Sequence, residues 1–468
     1  MTIAEFQDRV ARTMRERGMI RPGARIGIAV SGGGDSIALL DCLAFLGNAW
    51  NLELVVLHVN HKLRSVESDD DARFVETVAG RFGLPYRQTE LPVDTRENVE
   101  QAARNARYRW LYRQRSDLAL DRIAVGHTRS DQAETVLFRF LRGSGTAGLA
   151  GIWPCTEEGL IRPLIELSRS EVRNYLGLRK LEWREDSSNQ SEEFARNRIR
   201  LGLFPQLQRE WNPNLEQTLA VAAECARAEE EFWTAEIDRI ARDVLRPMGE
   251  RTVVADCAGI SSLPVAVARR VLRRAVQTAR GDLRAIDFAH IEGIRNLVSS
   301  PEGSGRLQVP GVDVLRSFDL IRFAPPETYR KGRHFSAPAT IPGRIQLPDG
   351  FSTLVLRIQD LESRYNEDDV NCLDWERLPD PLEVRSWQPG DQYRQRGQLA
   401  AVRVKTLFQE FRIPIWERQT WPVLASGESV VWARQFGPAA EFAATGSTRR
   451  IVVVDEERCN LEMRNQKP

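Results

Sequence analysis

Residues 25–40 constrain this chain most, because they join an apolar run to a helix-forming run through three consecutive glycines. Residues 26–30 predict a short buried strand, and residues 31–36 predict the turn after it. Asp35 is expected to open the next helix as an N-cap or first-turn residue. Glycine N–H groups in such a turn can point into one concavity, and the helix N-terminus adds partial positive charge. The turn therefore predicts an anion site, the alternative being a glycine-rich connection without a ligand.

The composition of the turn indicates which phosphates it would bind. Its members are Ser31, Gly32, Gly33, Gly34, Asp35 and Ser36. A Walker-type loop needs a lysine to reach the β- and γ-phosphates, and no lysine stands between Arg25 and Lys62. The turn is better suited to hold pyrophosphate as a leaving group, which predicts adenylation by ATP, with Asp35 as a candidate Mg²⁺ ligand. The Ser-Gly-Gly-x-Asp-Ser pattern resembles the PP-loop of the N-type ATP pyrophosphatases.

Length and composition limit the number of domains, the cellular location and the kinds of site that this chain can have. At 468 residues the chain is too long for one core, so two or three domains are expected. It has no apolar run of membrane-spanning length, and acids near its start argue against a signal peptide, which predicts a cytoplasmic location. Six scattered cysteines without a Cys-x-x-Cys pair indicate neither a disulfide framework nor a zinc or iron–sulfur site. A net charge of +1 neither requires nor excludes a nucleic-acid partner.

Further strands are predicted at 52–59, 86–91 and 122–125, with helices between them. Strand, helix and strand at this spacing predict parallel βαβ units and hence a Rossmann-like α/β domain. His58 and Asn60 lie at the end of the second strand, where open α/β sheets bind ligands, and are expected to line an adenosine pocket. A metal site at His58 and His61 is the alternative, although no acid or cysteine stands nearby at ligand spacing.

Two later segments carry candidate site residues. The helix predicted at 98–115 places Arg104, Arg107 and Tyr108 on one face, so an arginine could point into the cleft or belong to a solvated stripe. After the fourth strand, Asp131 and Glu134 are three apart at a helix start and so face one side. Paired carboxylates there can orient and deprotonate an amine or share a metal ion, unless they are ordinary first-turn acids.

Four separated motifs narrow the resemblance to one family. They are Gly-His at 126–127 with Asp-Gln-Ala-Glu-Thr at 131–135, Arg-Gly-Ser-Gly at 142–145, Glu-Asp-Ser-Ser-Asn at 185–189, and Phe-Ala-Arg-Asn-Arg-Ile-Arg at 194–200. In this order they resemble the tRNA(Ile)-lysidine synthetase family. One departure is Ser130, where the family usually has an acid before Asp131. If that acid were needed as a base or Mg²⁺ ligand, activity would be affected.

The resemblance implies a ligase that converts the wobble cytidine of a CAU-anticodon tRNA(Ile) into lysidine. The cytosine carbonyl would attack the α-phosphate of ATP, and the ε-amine of free L-lysine would then displace AMP. His127 would join the ATP site, while the residues implied for lysine are Arg107, Asp131, Glu134 and Arg196. Because a free lysine amine has a pKa near ~10.4, a carboxylate base beside it is chemically sensible.

The rest of the chain is predicted to bind RNA. We expect a catalytic domain at 1–213, a helical middle domain with a tRNA contact at 214–330, a linker with strands at 331–380, and a small α+β tRNA-binding domain at 381–468. The last resembles the C-terminal domain of longer lysidine synthetases. Its basic residues Arg385, Arg394, Arg403, Lys405 and Arg412 suit an RNA stem, the alternative being a solvated surface over an aromatic core.

Other functions differ in what they require. A PP-loop tRNA 2-thiolation enzyme would need a sulfur relay, commonly a Cys-x-x-Cys, which the sequence lacks. A non-catalytic tRNA-binding homologue is supported only by Ser130. The sequence does not decide between a monomer and a homodimer.

Overall fold

The computed structural model describes residues 1–60, 65–91, 99–184, 195–326, 334–348, 352–361 and 371–458. The chain divides into two compact units, Met1–Ala235 and Glu236–Pro468. Among the described residues, no helix combines the length and apolar character needed to cross a membrane.

The first unit is built on a five-stranded parallel sheet. Its strands are β1 Arg25–Ala29, β2 Glu53–Asn60, β3 Tyr86–Glu90, β4 Arg122–Val125 and β5 Leu160–Ile161. Their order is β3-β2-β1-β4-β5, and each neighbouring pair is parallel. The order reverses between β1 and β4, which is where open α/β sheets bind ligands. The predicted parallel-sheet domain is confirmed.

Helices cover the sheet and continue beyond it. They are α1 Ile3–Glu16, α2 Gly34–Trp50, α3 Ser65–Arg81, α4 Val99–Asp117, α5 Arg129–Leu141, α6 Thr146–Leu149, α7 Arg169–Arg179, α8 Ala195–Arg198, α9 Phe204–Glu210 and α10 Leu215–Val244. A π-helical turn, Ile199–Leu203, joins α8 to α9. The motif at 185–189 and Phe194 lie outside the described residues.

A buried ionic contact joins α2 to α7. Asp41 of α2 is 1% exposed and accepts two hydrogen bonds from the Arg179 guanidinium, at 2.9 and 3.0 Å. The Tyr175 hydroxyl also donates to Asp41, and the Tyr175 ring stacks on Phe6 of α1 with centroids 4.0 Å apart. Helices α1, α2 and α7 therefore share one core with β1.

The second unit begins with an α+β region. Its elements are β6 Leu245–Pro247, β7 Val253–Asp256, α11 Cys257–Ser261, α12 Val265–Arg280, α13 Phe288–Ser299, β8 Ser304–Val309, β9 Val312–Ser317 and β10 Leu320–Ala324. The strands form one antiparallel sheet, ordered β6-β7-β10-β9-β8. The middle region was predicted to be helical, so its sheet is a correction. Strands as short as β6 and β7 do not show a clear alternation of apolar residues, whereas α12 has a strong helical period.

The remaining strands form the C-terminal sheets. The elements are β11 Ser336–Pro338, β12 Gly343–Gln346, β13 Ser352–Asp360, β14 Cys372–Asp374, β15 Glu383–Ser386, β16 Gln392–Tyr393, β17 Val402–Arg403, α14 Val404–Glu410, α15 Ile415–Arg418, β18 Pro422–Ser426, β19 Ser429–Ala433, β20 Gly437–Pro438 and β21 Arg450–Arg458. The sheets are β11-β15-β18-β19-β20, β12-β13-β21-β14 and the ribbon β16-β17. Strands of the segment predicted as a linker thus pair with strands of the C-terminal region.

Candidate active site

The turn between β1 and α2 has the geometry of an anion cradle. Gly32 has φ +95°, a left-handed conformation that favours glycine. The Ser36 hydroxyl donates to the Gly33 carbonyl at 2.8 Å and accepts the N–H of Ser31 at 3.2 Å, which closes the turn. Helix α2 then starts at Gly34, and the first-turn amides of Gly34 and Asp35 have no intrahelical acceptor. The predicted first-turn position of Asp35 is confirmed.

The loop after β4 lies directly against this turn. A Cβ atom at Gly126 would stand only 3.0 Å from the backbone carbonyl carbon and oxygen of Asp35. Any side chain at this position would therefore push the two loops apart. The close approach brings the segment that starts with His127 next to the first turn of α2.

Asp131 and Glu134 form an acidic pair at the start of α5. They are 7% and 3% exposed. Arg169, the first residue of α7, bridges them with one guanidinium nitrogen 3.0 Å from Asp131 and the other 2.9 Å from Glu134. Arg200 adds contacts to Glu134 at 2.9 and 3.0 Å and to Asp131 at 3.4 Å. Arg196 stands farther away, at 3.7 Å from Asp131 and 3.6 Å from Glu134.

Local sequence fixes the orientation of Asp131. Thr128 and Asp131 form a capping box, in which the Asp131 Oδ2 accepts the Thr128 N–H at 2.9 Å and its hydroxyl at 2.9 Å. The other oxygen, Oδ1, faces Arg169. Burial would raise the pKa of Asp131, but the charge of Arg169 and the neighbouring positive groups outweigh it and hold this pKa below its ordinary range. Asp131 therefore remains a carboxylate.

Asp35 has the opposite electrostatic character. Burial, together with the nearby negative charge of Asp131, raises the pKa of Asp35 to about 6, although Arg169 and Arg200 oppose the shift. A carboxyl group with this pKa can gain or lose a proton near neutral pH. A cation bound beside Asp35 would relieve the unfavourable burial of its charge.

A second arginine group lies beside His127. The Nε–H of Arg162 donates to Nδ1 of His127 at 3.0 Å, so the other ring nitrogen carries the proton in the neutral ring. Burial and the charge of Arg162 lower the pKa of His127, which keeps the ring neutral. The guanidinium carbons of Arg104 and Arg107 lie 5.1 and 5.3 Å from the Tyr108 ring centre. Burial lowers the pKa of Arg107.

His58 and Asn60 are both buried at the end of β2. Nδ1 of His58 lies 2.8 Å from the carbonyl oxygen of Val30 and donates to it, leaving Nε2 as an acceptor. Burial lowers the pKa of His58, and its Nε2 has no hydrogen-bond partner among the described residues. Asn60 donates to Asp69 at 3.0 Å. His61 lies outside the described residues, and those residues contain no cluster of three metal-ligating side chains.

Comparison with known proteins identifies the family. Residues 3–207 match the PP-loop domain, residues 256–320 the TilS substrate binding domain, and residues 382–454 the TilS substrate C-terminal domain. A tRNA(Ile)-lysidine synthase of Solibacter usitatus (strain Ellin6076) is 51% identical over 433 residues, covering 91% of this chain and 96% of the relative. This chain belongs to the tRNA(Ile)-lysidine synthase family.

More distant relatives extend over the same length. The tRNA(Ile)-lysidine synthase of Geobacter sulfurreducens (strain ATCC 51573 / DSM 12127 / PCA) is 34% identical, covering 94% of each chain. That of Symbiobacterium thermophilum (strain DSM 24528 / JCM 14929 / IAM 14863 / T) is 35% identical, covering 96% of this chain and 98% of the relative. Membership of the lysidine synthase family therefore rests on the whole chain.

Sequence reasoning found some members of the site and missed others. Asp131, Glu134 and Arg196 were predicted from the sequence, and the structure places them together. Arg107 was also predicted, and it lies over the ring of Tyr108. Sequence reasoning did not single out Arg169 or Arg200, which make the shorter ion pairs. Arg200 stands in a lysidine synthase motif and could have been found there, whereas Arg169 carries no motif of its own.

The C-terminal basic residues fall into two groups. Arg385 is 4% exposed and makes two 2.9 Å hydrogen bonds to buried Asp391, so its predicted role in tRNA binding is replaced by a structural ion pair. Arg403 and Lys405 are exposed at the start of α14. Arg394 is half-buried 3.5 Å from Glu441, and Arg412 pairs with Asp319 at 2.6 Å.

Proposed function

We propose that this protein attaches free L-lysine to C2 of the wobble cytidine of CAU-anticodon tRNA(Ile), converting ATP into AMP and pyrophosphate. One observation carries the chemistry: a first unit that holds both an anion cradle and a buried carboxylate pair bridged by arginine. The cradle suits pyrophosphate, and the carboxylates suit an ammonium group. Family membership over the whole chain supports the same reaction.

The nucleotide would be held by the turn and its neighbours. The free first-turn amides and the hydroxyls of Ser31 and Ser36 would receive the β- and γ-phosphates as the leaving group. His58, with an unpartnered buried ring nitrogen, Asn60 and neutral His127 would contact the adenosine. Asp35 fits a Mg²⁺ ion, because Mg²⁺ commonly takes one or two carboxylates together with substrate phosphates. Such an ion, when bound, would offset charge on the phosphates.

Charge balance suggests how lysine would enter. Two carboxylates face three guanidiniums in the substrate-free site, so the cluster has an excess of one positive charge. The lysine ε-ammonium would lie between Asp131 and Glu134. Its α-carboxylate would then take the guanidinium that is held least closely, that of Arg196, whose Nε has no hydrogen-bond partner among the described residues. Arg107 is the further cation we propose for the carboxylate or the adenylate.

The amine must lose a proton before it attacks. Asp131, with its lowered pKa, binds and orients the ammonium but is a weak base. Glu134, the other carboxylate beside the amine, is the group we propose to accept the proton. Asp35 stays with the Mg²⁺ ion, whose charge would hold it in the ionised form.

The tRNA would also contact the second unit. Arg403, the N-cap of α14, and Lys405, in its first turn, are both exposed, which suits contacts with phosphates. Arg394 and Arg412 are secondary candidates, since each already faces an acid. These contacts would orient the tRNA and carry little base specificity.

The experiment is lysine transfer in vitro. Purified protein is incubated with ATP, Mg²⁺, labelled lysine and a CAU-anticodon tRNA(Ile) transcript, with the same transcript carrying a different wobble base as control. We expect label in the CAU transcript alone, with pyrophosphate released in step. Absence of label, or equal labelling of both transcripts, would overturn the proposal.

A further inference from the structure

Ser130 makes a contact that gives its position a role in the site. Its hydroxyl accepts the backbone N–H of Arg169 at 2.9 Å, and the residue is 8% exposed. Ser130 and Arg169 lie in the first turns of α5 and α7. A serine hydroxyl remains neutral near pH 7, so it can supply neither a carboxylate base nor a negative charge for a metal ion.

The bond satisfies an amide that the helix itself leaves without a partner. The first N–H groups of a helix have no intrahelical acceptor. In α7, the Ser168 hydroxyl accepts the N–H of Glu171, and the Ser130 hydroxyl accepts that of Arg169. A second backbone bond, from the N–H of Arg129 to the carbonyl of Leu167 at 2.8 Å, lies beside it. The start of α7 is thereby fastened to the start of α5 at two adjacent points.

This attachment bears on the acidic pair through the Arg169 side chain. The two guanidinium nitrogens of Arg169 contact Glu134 at 2.9 Å and Asp131 at 3.0 Å. The planar guanidinium of an arginine can bridge two carboxylates only if the backbone of that arginine is correctly positioned relative to both of them. Ser130 fixes the backbone position of Arg169. Among the described residues, the Ser130 side chain makes no hydrogen bond to either carboxylate.

We propose that Ser130 is a positioning residue, whose acceptor oxygen sets Arg169 and through it the spacing of the lysine-binding carboxylates. What this position supplies is an oxygen acceptor for an N–H, a task that an aspartate could perform equally well. The serine therefore departs from the family pattern without loss of the lysine site. The inference rests on the proposed function for its kinetic consequences, but the hydrogen bond can be tested separately.

The kinetic test compares Ser130→Ala, Ser130→Asp and the parent protein in lysine transfer. Loss of one hydrogen bond corresponds to about a fivefold effect on an equilibrium, so Ser130→Ala is expected to raise KM for lysine about fivefold. Its kcat should change much less, and Ser130→Asp should restore KM. Ser170→Ala is the matched control, because exposed Ser170 also lies in the first turn of α7 and, among the described residues, its hydroxyl bonds only to that of Ser168.

Two kinetic results would overturn the inference. One is an unchanged KM in Ser130→Ala. The other is a Ser130→Asp variant with a much higher kcat and a changed Mg²⁺ requirement, since that would mean that the position serves the chemistry directly. Thermal unfolding of each variant accompanies the kinetics, so that a folding defect is recognised.

Hydrogen exchange of the Arg169 amide tests the contact without reference to lysine transfer. We expect exchange at this amide in the substrate-free protein to be at least several-fold faster in Ser130→Ala than in the parent or Ser170→Ala. Equal exchange would refute the positioning bond. If the parent makes no lysidine but its Arg169 amide behaves as expected, the proposed function fails while the structural part of the inference stands.

Discussion

At the residue scale, Asp35 combines two demands that oppose each other. It stands in the first turn of α2, where the helix dipole favours an anion. Yet burial and Asp131 raise its pKa to about 6, so its ionised form is held at a cost. This is typical of a group that gains favourable interactions only when its ligand is bound.

We expect Asp35→Ala to abolish ATP-dependent adenylation of the tRNA while leaving tRNA affinity nearly unchanged, because we propose Asp35 for the nucleotide site and not for the RNA surface. Pyrophosphate release and filter binding measure the two quantities. Thr77→Ala, on the exposed face of α3, serves as control. Turnover of Asp35→Ala at the parent rate would refute the assignment.

Asp35 is expected to lower the stability of the fold, although we propose that activity requires it. A carboxyl whose folded pKa of about 6 exceeds its unfolded value near 3.9 destabilises the fold as pH rises through this interval. Asp35→Asn is therefore expected to increase the free energy of unfolding at pH 7.5 by about 1–3 kcal/mol. Urea unfolding at pH 7.5 and pH 4 measures this gain, which should nearly vanish at the lower pH. A gain of equal size at both values would contradict the mechanism.

At the element scale, α7 connects the two halves of the site. Arg169 at its first position holds the acidic pair, and Arg179 at its last position holds Asp41 of α2. Helix α2 in turn begins at the anion cradle. One helix thus contacts both the acidic pair proposed for lysine and the helix that begins at the anion cradle.

We expect Asp41→Ala to destabilise the protein by roughly 2–4 kcal/mol, because it removes a buried carboxylate from an arginine and a tyrosine that both donate to it. Asp70→Ala is the control: its pair with Arg73 is exposed and should be worth less than about 1 kcal/mol. Thermal unfolding of both variants is the measurement, and equal shifts in Tm would count against the role given to Asp41.

The elements differ in how far the sequence predicts them. The strand, turn and helix at residues 25–50 follow from adjacent residues, and the capping box that begins α5 can be read directly from Thr128 and Asp131. Arg169 could not be found in this way, because its contact with Asp131 joins residues 38 positions apart and depends on how the chain returns. Arg385 has a different reason: its basic character predicts RNA binding, and although Asp391 is only six residues away, the burial of both side chains shows only in the fold.

At the scale of the whole molecule, chemistry and RNA recognition are assigned to different units. The residues proposed for the nucleotide and for lysine belong to Met1–Ala235, and exposed Arg403 and Lys405 at the start of α14 belong to the second unit. Variants of α14 should therefore change tRNA binding without changing the chemistry of a bound substrate.

Arg403→Ala combined with Lys405→Ala is expected to weaken binding of different tRNAs to a similar degree and to lower the slope of log K against log salt by roughly 1–2, since each lost phosphate contact contributes about 0.7–0.9. Binding at several salt concentrations measures this. Arg450→Ala, which removes an arginine paired with Asp360, should leave the slope unchanged. A double variant with the parent slope would exclude α14 as an RNA contact.

If the amine of lysine lies at Asp131 and Glu134 as proposed, the three guanidiniums around this pair would also influence which amines the site accepts. A diamine of the same length as lysine, such as cadaverine, offers the ammonium group but no carboxylate. Its ammonium group would displace an arginine from Asp131 and Glu134 and leave that guanidinium without a carboxylate in a largely buried site. Free lysine, in contrast, brings a carboxylate of its own. If lysine binds as proposed, polyamines should therefore be poor substrates, because they carry no carboxylate for the displaced arginine.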